Sequence, residues 1–197
     1  MTDIAPHNQN RLGYILGHVF HPFVIFIPAL VLVLKGIPFF TAVGWVAFIA
    51  AIILIPLNLT ILWERRRDQY VYQRKTRHSL YIMFWLSMLS AILIGVALDG
   101  PRRLIFALLC MWIWVALQFL VNLVYTKISG HTAIIATIVF GLLALGELDT
   151  PLLIILAFGA VAATGWARIV TGNHTLQQVI LGVLVSSGAV LIAAVLL

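Results

Sequence analysis

Charge is what this chain has least of. Lys, Arg, Asp and Glu make up only 9% of its 197 residues, and six of them are acidic. A soluble domain of average composition carries about 25% charge, so a water-covered globular fold is excluded. With so few acids, no carboxylate cluster suggests a divalent metal site. A single cysteine, Cys110, excludes an intramolecular disulfide, and its place inside an apolar run reads as a small core residue. The polar segment from Met1 to Asn10 has no basic n-region, so no cleavable signal peptide is expected.

What the chain has instead is long apolar stretches, with 63% hydrophobic residues overall. Each run approaches the ~20 residues a helix needs to cross a bilayer. In lipid, backbone polar groups must be satisfied internally, which restricts such runs to helices or a closed barrel. They are continuous rather than alternating, so they predict helices. Candidate spans lie near 14–34, 40–63, 79–98, 103–125, 131–147, 151–170 and 174–197. The fifth and sixth are short and the first could be partly interfacial, so the expected fold is all-α: a single polytopic transmembrane bundle over 1–197 with six to seven spans. Turns such as Lys35-Gly36-Ile37-Pro38 and Asp99-Gly100-Pro101 separate the spans. Two pairs of small residues, Gly159 with Ala163 and Gly182 with Ser186, predict a close contact between the sixth and seventh spans.

The net charge of +6 sits in short loops between spans, which argues against nucleic acid and for topology or anionic ligands. Seven spans put the loops 64–78, 126–131 and 168–174 on one membrane face, with the N-terminus. Nine of the 12 basic residues lie on that side: Arg11, Arg65, Arg66, Arg67, Arg74, Lys75, Arg77, Lys127 and Arg168. Lys35, Arg102 and Arg103 lie opposite. The positive-inside rule then predicts that the loop face is cytoplasmic.

The three loops share a chemistry. They supply several guanidinium groups, two histidines and a Ser-Gly turn entering a helix. Arginine forks match phosphate oxygens, and a helix N-terminus offers N–H groups to an anion. His131 and His174 lack further His or Cys partners for zinc. Histidine as nucleophile and general acid in metal-independent phosphoryl transfer is the chemistry left. Read singly, each loop is equally a topogenic loop, a helix cap or an interfacial turn. His18 and His21, beside Pro22 in the first span, read as interfacial.

Ser129-Gly130-His131, and Arg168 followed after five residues by His174, resemble two signatures of the type 2 phosphatidic-acid phosphatase superfamily. These are integral-membrane lipid phosphatases related to vanadium haloperoxidases, with signatures K-x6-R-P, P-S-G-H and S-R-x5-H-x3-D. Here Ile128 stands in the Pro position, Ala167 in the Ser position and Gln178 in the Asp position. Arg77-His78 is the nearest match to R-P, with Tyr70 where the Lys falls; Arg67-x6-Arg74 is an alternative.

The resemblance implies a lipid-phosphatase-like helical core without cofactor or metal. It implies that His174 attacks phosphorus, that His131 protonates the leaving oxygen, and that Arg77, Arg168, Ser129 and the Gly130 N–H hold the phosphoryl oxygens. Lys127 or Arg74 would add charge. Gln178, one helical turn after His174, can accept its imidazole N–H but brings no negative charge; Asp68, in the arginine loop, is the candidate substitute. The implied substrate is a lipid phosphate or prenyl diphosphate taken from surrounding membrane lipids. A phosphotransferase of the same fold, or a non-catalytic lipid-phosphate binder, are the alternatives. The particular lipid and the oligomeric state stay open at this level.

Overall fold

The structure is a computed structural model that describes residues 10–67 and 77–197, the side chains of 64–67 and of 77 excepted. The described residues form helices and contain no strand. In chain order these are α1 (Arg11–Val19), α2 (Pro22–Val33), α3 (Phe39–Ile49), a π-helical turn (Ala50–Leu54), α4 (Ile55–Arg67), α5 (Arg77–Ala97), α6 (Arg102–Val124), α7 (Gly130–Ala144), α8 (Pro151–Val170) and α9 (Leu176–Leu196).

Among the described residues, six segments are long and apolar enough to cross a membrane: Arg11–Val33, Phe39–Trp63, His78–Ala97, Arg102–Val124, Pro151–Val170 and Leu176–Leu196. The sixth span expected from the sequence is therefore full length, whereas the fifth, α7, has only 15 residues. At 1.5 Å per residue α7 is about 22 Å long, short of a ~30 Å hydrocarbon core. Even so, it joins the two ends of the bundle. Its start is bonded to the first turn of α9 (Ser129 N–H to Gln178 carbonyl, 3.2 Å), and the turn after it, at Glu147, meets Lys35 and Arg103. α7 is a central helix, packed against α9, α8, α2 and α6.

Two spans depart from regular α-helix, each near a proline. The first breaks at His21, whose extended backbone (ψ 138°) is the conformation favoured before a proline, and Pro22 opens α2. The second carries the π turn just before Pro56, whose missing N–H removes an i→i−4 hydrogen bond. Polar side chains within the spans turn back on their own helices, as Thr60 does to the Pro56 carbonyl, Thr137 to Ala133 and Thr164 to Ala160. In an apolar medium this satisfies hydroxyls without a partner helix.

The small-residue expectation is half right. α9 uses Gly182 and Ser186 for close approach, but to α7 and not to α8. A Cβ on Gly182 would lie 3.1 Å from Ile128 Cγ2 and 3.3 Å from the Ser129 carbonyl. Ser186 Oγ donates to the Ala133 carbonyl at 2.7 Å. Gly159 is exposed, with nothing within 4 Å of a would-be Cβ. Sequence spacing identifies a small face, but the choice of partner belongs to the tertiary packing.

The end opposite the signature loops is tied by ion pairs. Glu147, its side chain 7% exposed, bonds Arg103 and also Lys35 at 3.2 Å. The Arg103 guanidinium hydrogen-bonded to it, with help from Lys35, holds the Glu147 carboxyl below the ordinary carboxylate range. Its contribution is thus complete at neutral pH and is lost as pH falls through the lowered folded value.

Gly182→Val should lower the thermal unfolding midpoint in detergent, at a cost of roughly 1–3 kcal/mol for overpacking. Gly159→Val should move it little, by about 0.5 kcal/mol or less. Circular dichroism melts of the two variants beside the wild type check this pair.

Candidate phosphate site at one end of the bundle

The spacing between Arg168 and His174 has a local structural cause. Helix α8 ends at Val170 with Thr171 as its C-cap, and Gly172 follows in the left-handed region (φ +71°) that glycine adopts without strain. The Gly172 N–H donates to the Ile169 carbonyl (3.0 Å) and the Asn173 N–H to the Arg168 carbonyl (3.1 Å). This is a Schellman closure. The His174 N–H folds back onto the same Arg168 carbonyl at 3.1 Å. Five intervening residues are what this helix end needs to bring the two positions together.

His174 is then fixed by the start of α9. Thr175 is the N-cap and Gln178 the third helical residue of a capping box. Gln178 Oε1 accepts the Thr175 N–H at 3.3 Å and also contacts His174 Nδ1 at 3.0 Å. A backbone N–H can only donate, so the atom facing Thr175 must be the amide oxygen, and the His174 nitrogen beside it must carry a proton. Nδ1 of His174 is thereby the protonated nitrogen that faces Gln178, which leaves Nε2 as the ring nitrogen that could act as a nucleophile. Gln178 Nε2 donates to Thr126 Oγ1 at 3.5 Å, which agrees with that amide orientation.

The Ser129-Gly130-His131 segment meets this turn. Ser129 occupies the N-cap position of α7 and Gly130 begins the helix, as the sequence suggested. The Ser129 side chain makes no cap bond; its Oγ pairs with Thr132 Oγ1 at 2.9 Å, and both residues are fully buried. Ile128, in the family's proline position, is also fully buried and sits beside Gly182.

A cavity of about 720 Å³ begins here and follows α7 into the bundle. Gly130, His131 and His174 line one end; Ile134, Ile138, Leu142 and Leu145 continue along the helix. Its size lies within the roughly 300–1,000 Å³ usual for ligand sites. Of the other residues singled out in the sequence, Gln178 stands behind His174. Ser129 is buried, with its hydroxyl turned to Thr132 rather than to the cavity wall. Lys127 is exposed on the linker before α7. Arg168 lies within electrostatic range of His21. Arg77 begins α5 and its side chain falls outside the described residues, as do Arg74 and Asp68 altogether. Among the described residues, no group of three or more His, Cys, Asp or Glu is arranged to hold a metal ion.

His21 joins the site, although the sequence singled it out only as interfacial. Its ring makes an edge contact with His131, centroids 5.0 Å apart, and it lines the same end of the cavity. Its Nδ1 accepts the Phe23 N–H at 3.4 Å. Nothing in local spacing pointed to this, because the contact depends on α2 packing against α7. His18 is exposed, and its ring bonds the Tyr14 carbonyl of its own helix at 2.9 Å.

Comparison with protein-family models, curated proteins and solved structures finds no match to this chain.

The His174 tautomer is directly visible by spectroscopy. In ¹⁵N-labelled protein at neutral pH, His174 should show a protonated Nδ1 and a bare Nε2, and Gln178→Leu should yield a mixture of tautomers.

Proposed function

We propose that this chain is a multi-pass membrane phosphatase that removes phosphate from a lipid phosphate through a phosphohistidine. The observation that carries the reading is the convergence of His131 and His174, from separate signatures, on the polar end of one largely apolar cavity. An apolar cavity closed at one end by imidazoles suits a molecule with a hydrocarbon tail and a phosphorylated head. The excess of basic residues on the signature loops favours a cytoplasmic site.

In this reading the tail lies along α7 and the phosphate rests against the first turn of α7. His174 Nε2 attacks phosphorus, the P–O bond to the lipid breaks, and His131 gives its proton to the departing oxygen. Water then attacks the phosphohistidine, with His131 taking the proton, to release phosphate and restore both rings. Arg168 and Arg77 balance the charge that spreads over the equatorial oxygens in the transition state. Gln178, by accepting the Nδ1 proton, directs the attack to Nε2.

The test is phosphate release by the purified protein from a panel of lipid phosphates and prenyl diphosphates, with vanadate as inhibitor. His174→Ala should reduce release to background, and His131→Ala should lower turnover by about 10²–10⁴-fold. Full activity in His174→Ala would overturn the assignment. Product that forms only when an alcohol acceptor is added would identify a phosphotransferase instead.

A further inference from the structure

The outer side of the second span (Phe39–Trp63) carries a pattern that the cavity does not use. Its inner side lines the cavity with Ile49, Ile53, Leu57 and Ile61, and it packs against α5 through the π turn and α4. On the other side Gly44, Ala47, Ala51, Ile55, Asn58 and Leu62 are all exposed. They recur every three or four residues, so one stripe faces outward along the span and continues through the π turn. The first half of the stripe is made of small residues, and nothing lies within 4 Å of a would-be Cβ on Gly44.

Asn58 is out of place on such a face. The amides of α6, Gln118 and Asn122, are buried inside the bundle, whereas Asn58 is exposed beside Ile55, Leu59 and Leu62. It lies five residues, or about 7.5 Å, inside Trp63 at the end of the apolar span. Its Nδ2 donates to the Leu54 carbonyl of its own helix at 2.7 Å. That bond occupies one N–H; among the described residues nothing meets Oδ1 or the other N–H. Hydrocarbon offers neither donor nor acceptor, and an amide left unmet there is costly.

We infer that two copies of this chain associate through this face, helix against helix, with Asn58 of each bonded to Asn58 of the other. Copies inserted with the same topology hold Asn58 at the same depth, so a two-fold axis along the membrane normal brings the residue to itself. An amide is its own complement, because Oδ1 of one copy accepts from Nδ2 of the other. A single Asn in an otherwise apolar helix pair sets register and oligomer state in this way. Gly44, Ala47 and Ala51 let the two backbones approach in the other half of the span, where close packing drives association in lipid. An acyl chain could cover the same stripe but would leave the amide unmet. The second copy also braces, from outside, the helix that walls the cavity. Association does not depend on the chemistry at the histidine end, so its test needs no activity.

The full chain, carrying one fluorophore per copy, is reconstituted in phosphatidylcholine vesicles, and stepwise photobleaching counts copies over a range of protein-to-lipid ratios. The wild type should form dimers as its density rises. Asn58→Leu should raise the dimer Kd by roughly 3- to 10-fold, the worth of an interhelical hydrogen bond in a membrane. Ala51→Phe, which blocks the close approach, should raise it further, and Ala162→Phe, on the exposed side of α8, should leave it unchanged. Because a bulky variant could misfold, oxidative cross-linking in the same vesicles gives a second readout, with the buried native Cys110 left in place. Ala51→Cys copies should form a disulfide-linked dimer, and Ala162→Cys copies should not. A wild type that stays monomeric at every density overturns the inference, whether lipid or a different protein covers the face. So does a dimer that neither Asn58→Leu nor Ala51→Phe weakens, or one that cross-links through Ala162→Cys and not through Ala51→Cys.

Discussion

Gln178 ties the signature end of the bundle together. Its main-chain carbonyl receives the Ser129 N–H, its side-chain oxygen receives the Thr175 N–H and His174 Nδ1, and its side-chain nitrogen reaches Thr126. Where water is scarce, the unmet N–H groups at a helix start need protein partners. One residue in the first turn of α9 meets that need for its own helix, orients the histidine before it and anchors the entry to α7. The junction between the two signature segments, and with it the shape of the cavity mouth, depends on these bonds. An amide suits this duty because it accepts and donates at once, whereas a carboxylate could not donate to Thr126.

The elements that local rules govern were legible in the sequence. Continuous apolar runs gave the helices, since the bilayer leaves the backbone few options. The Arg168-to-His174 spacing was informative because a helix end, a left-handed glycine and two backbone hydrogen bonds determine it within one short segment. Ser129 at the N-cap and Gly130 at the helix start followed from the same kind of reasoning. Legibility ended where one helix chooses another. Gly182 and Ser186 marked a close-packing face on α9, yet only the assembled bundle shows that α7 fills it. His21 read as interfacial, and its contact with His131 exists only because α2 packs beside α7.

The two ends of the bundle handle charge differently. At the far end, Glu147 between Arg103 and Lys35 compensates cations with an anion and so links the turn after α7 to α6 and to the turn after α2. The described side chains at the signature end include Arg168, His21, His131 and His174, and none is a carboxylate. In the proposed reading a phosphorylated head group lies among these groups, beside the N–H groups of a helix start.

The amide at position 178 also fits this balance. A carboxylate there would favour imidazolium at His174, and a protonated ring has no free electron pair for phosphorus. A neutral carbonyl fixes the same Nδ1–H tautomer without raising the ring's affinity for a second proton. The cost falls later in the proposed reaction, because the positive charge that develops on the ring after attack has no carboxylate beside it. The phosphoryl oxygens, held close on Nε2, are the anions best placed to compensate that charge. In the proposed reaction the phosphoryl oxygens on Nε2 would thus carry the negative charge that Gln178 does not supply.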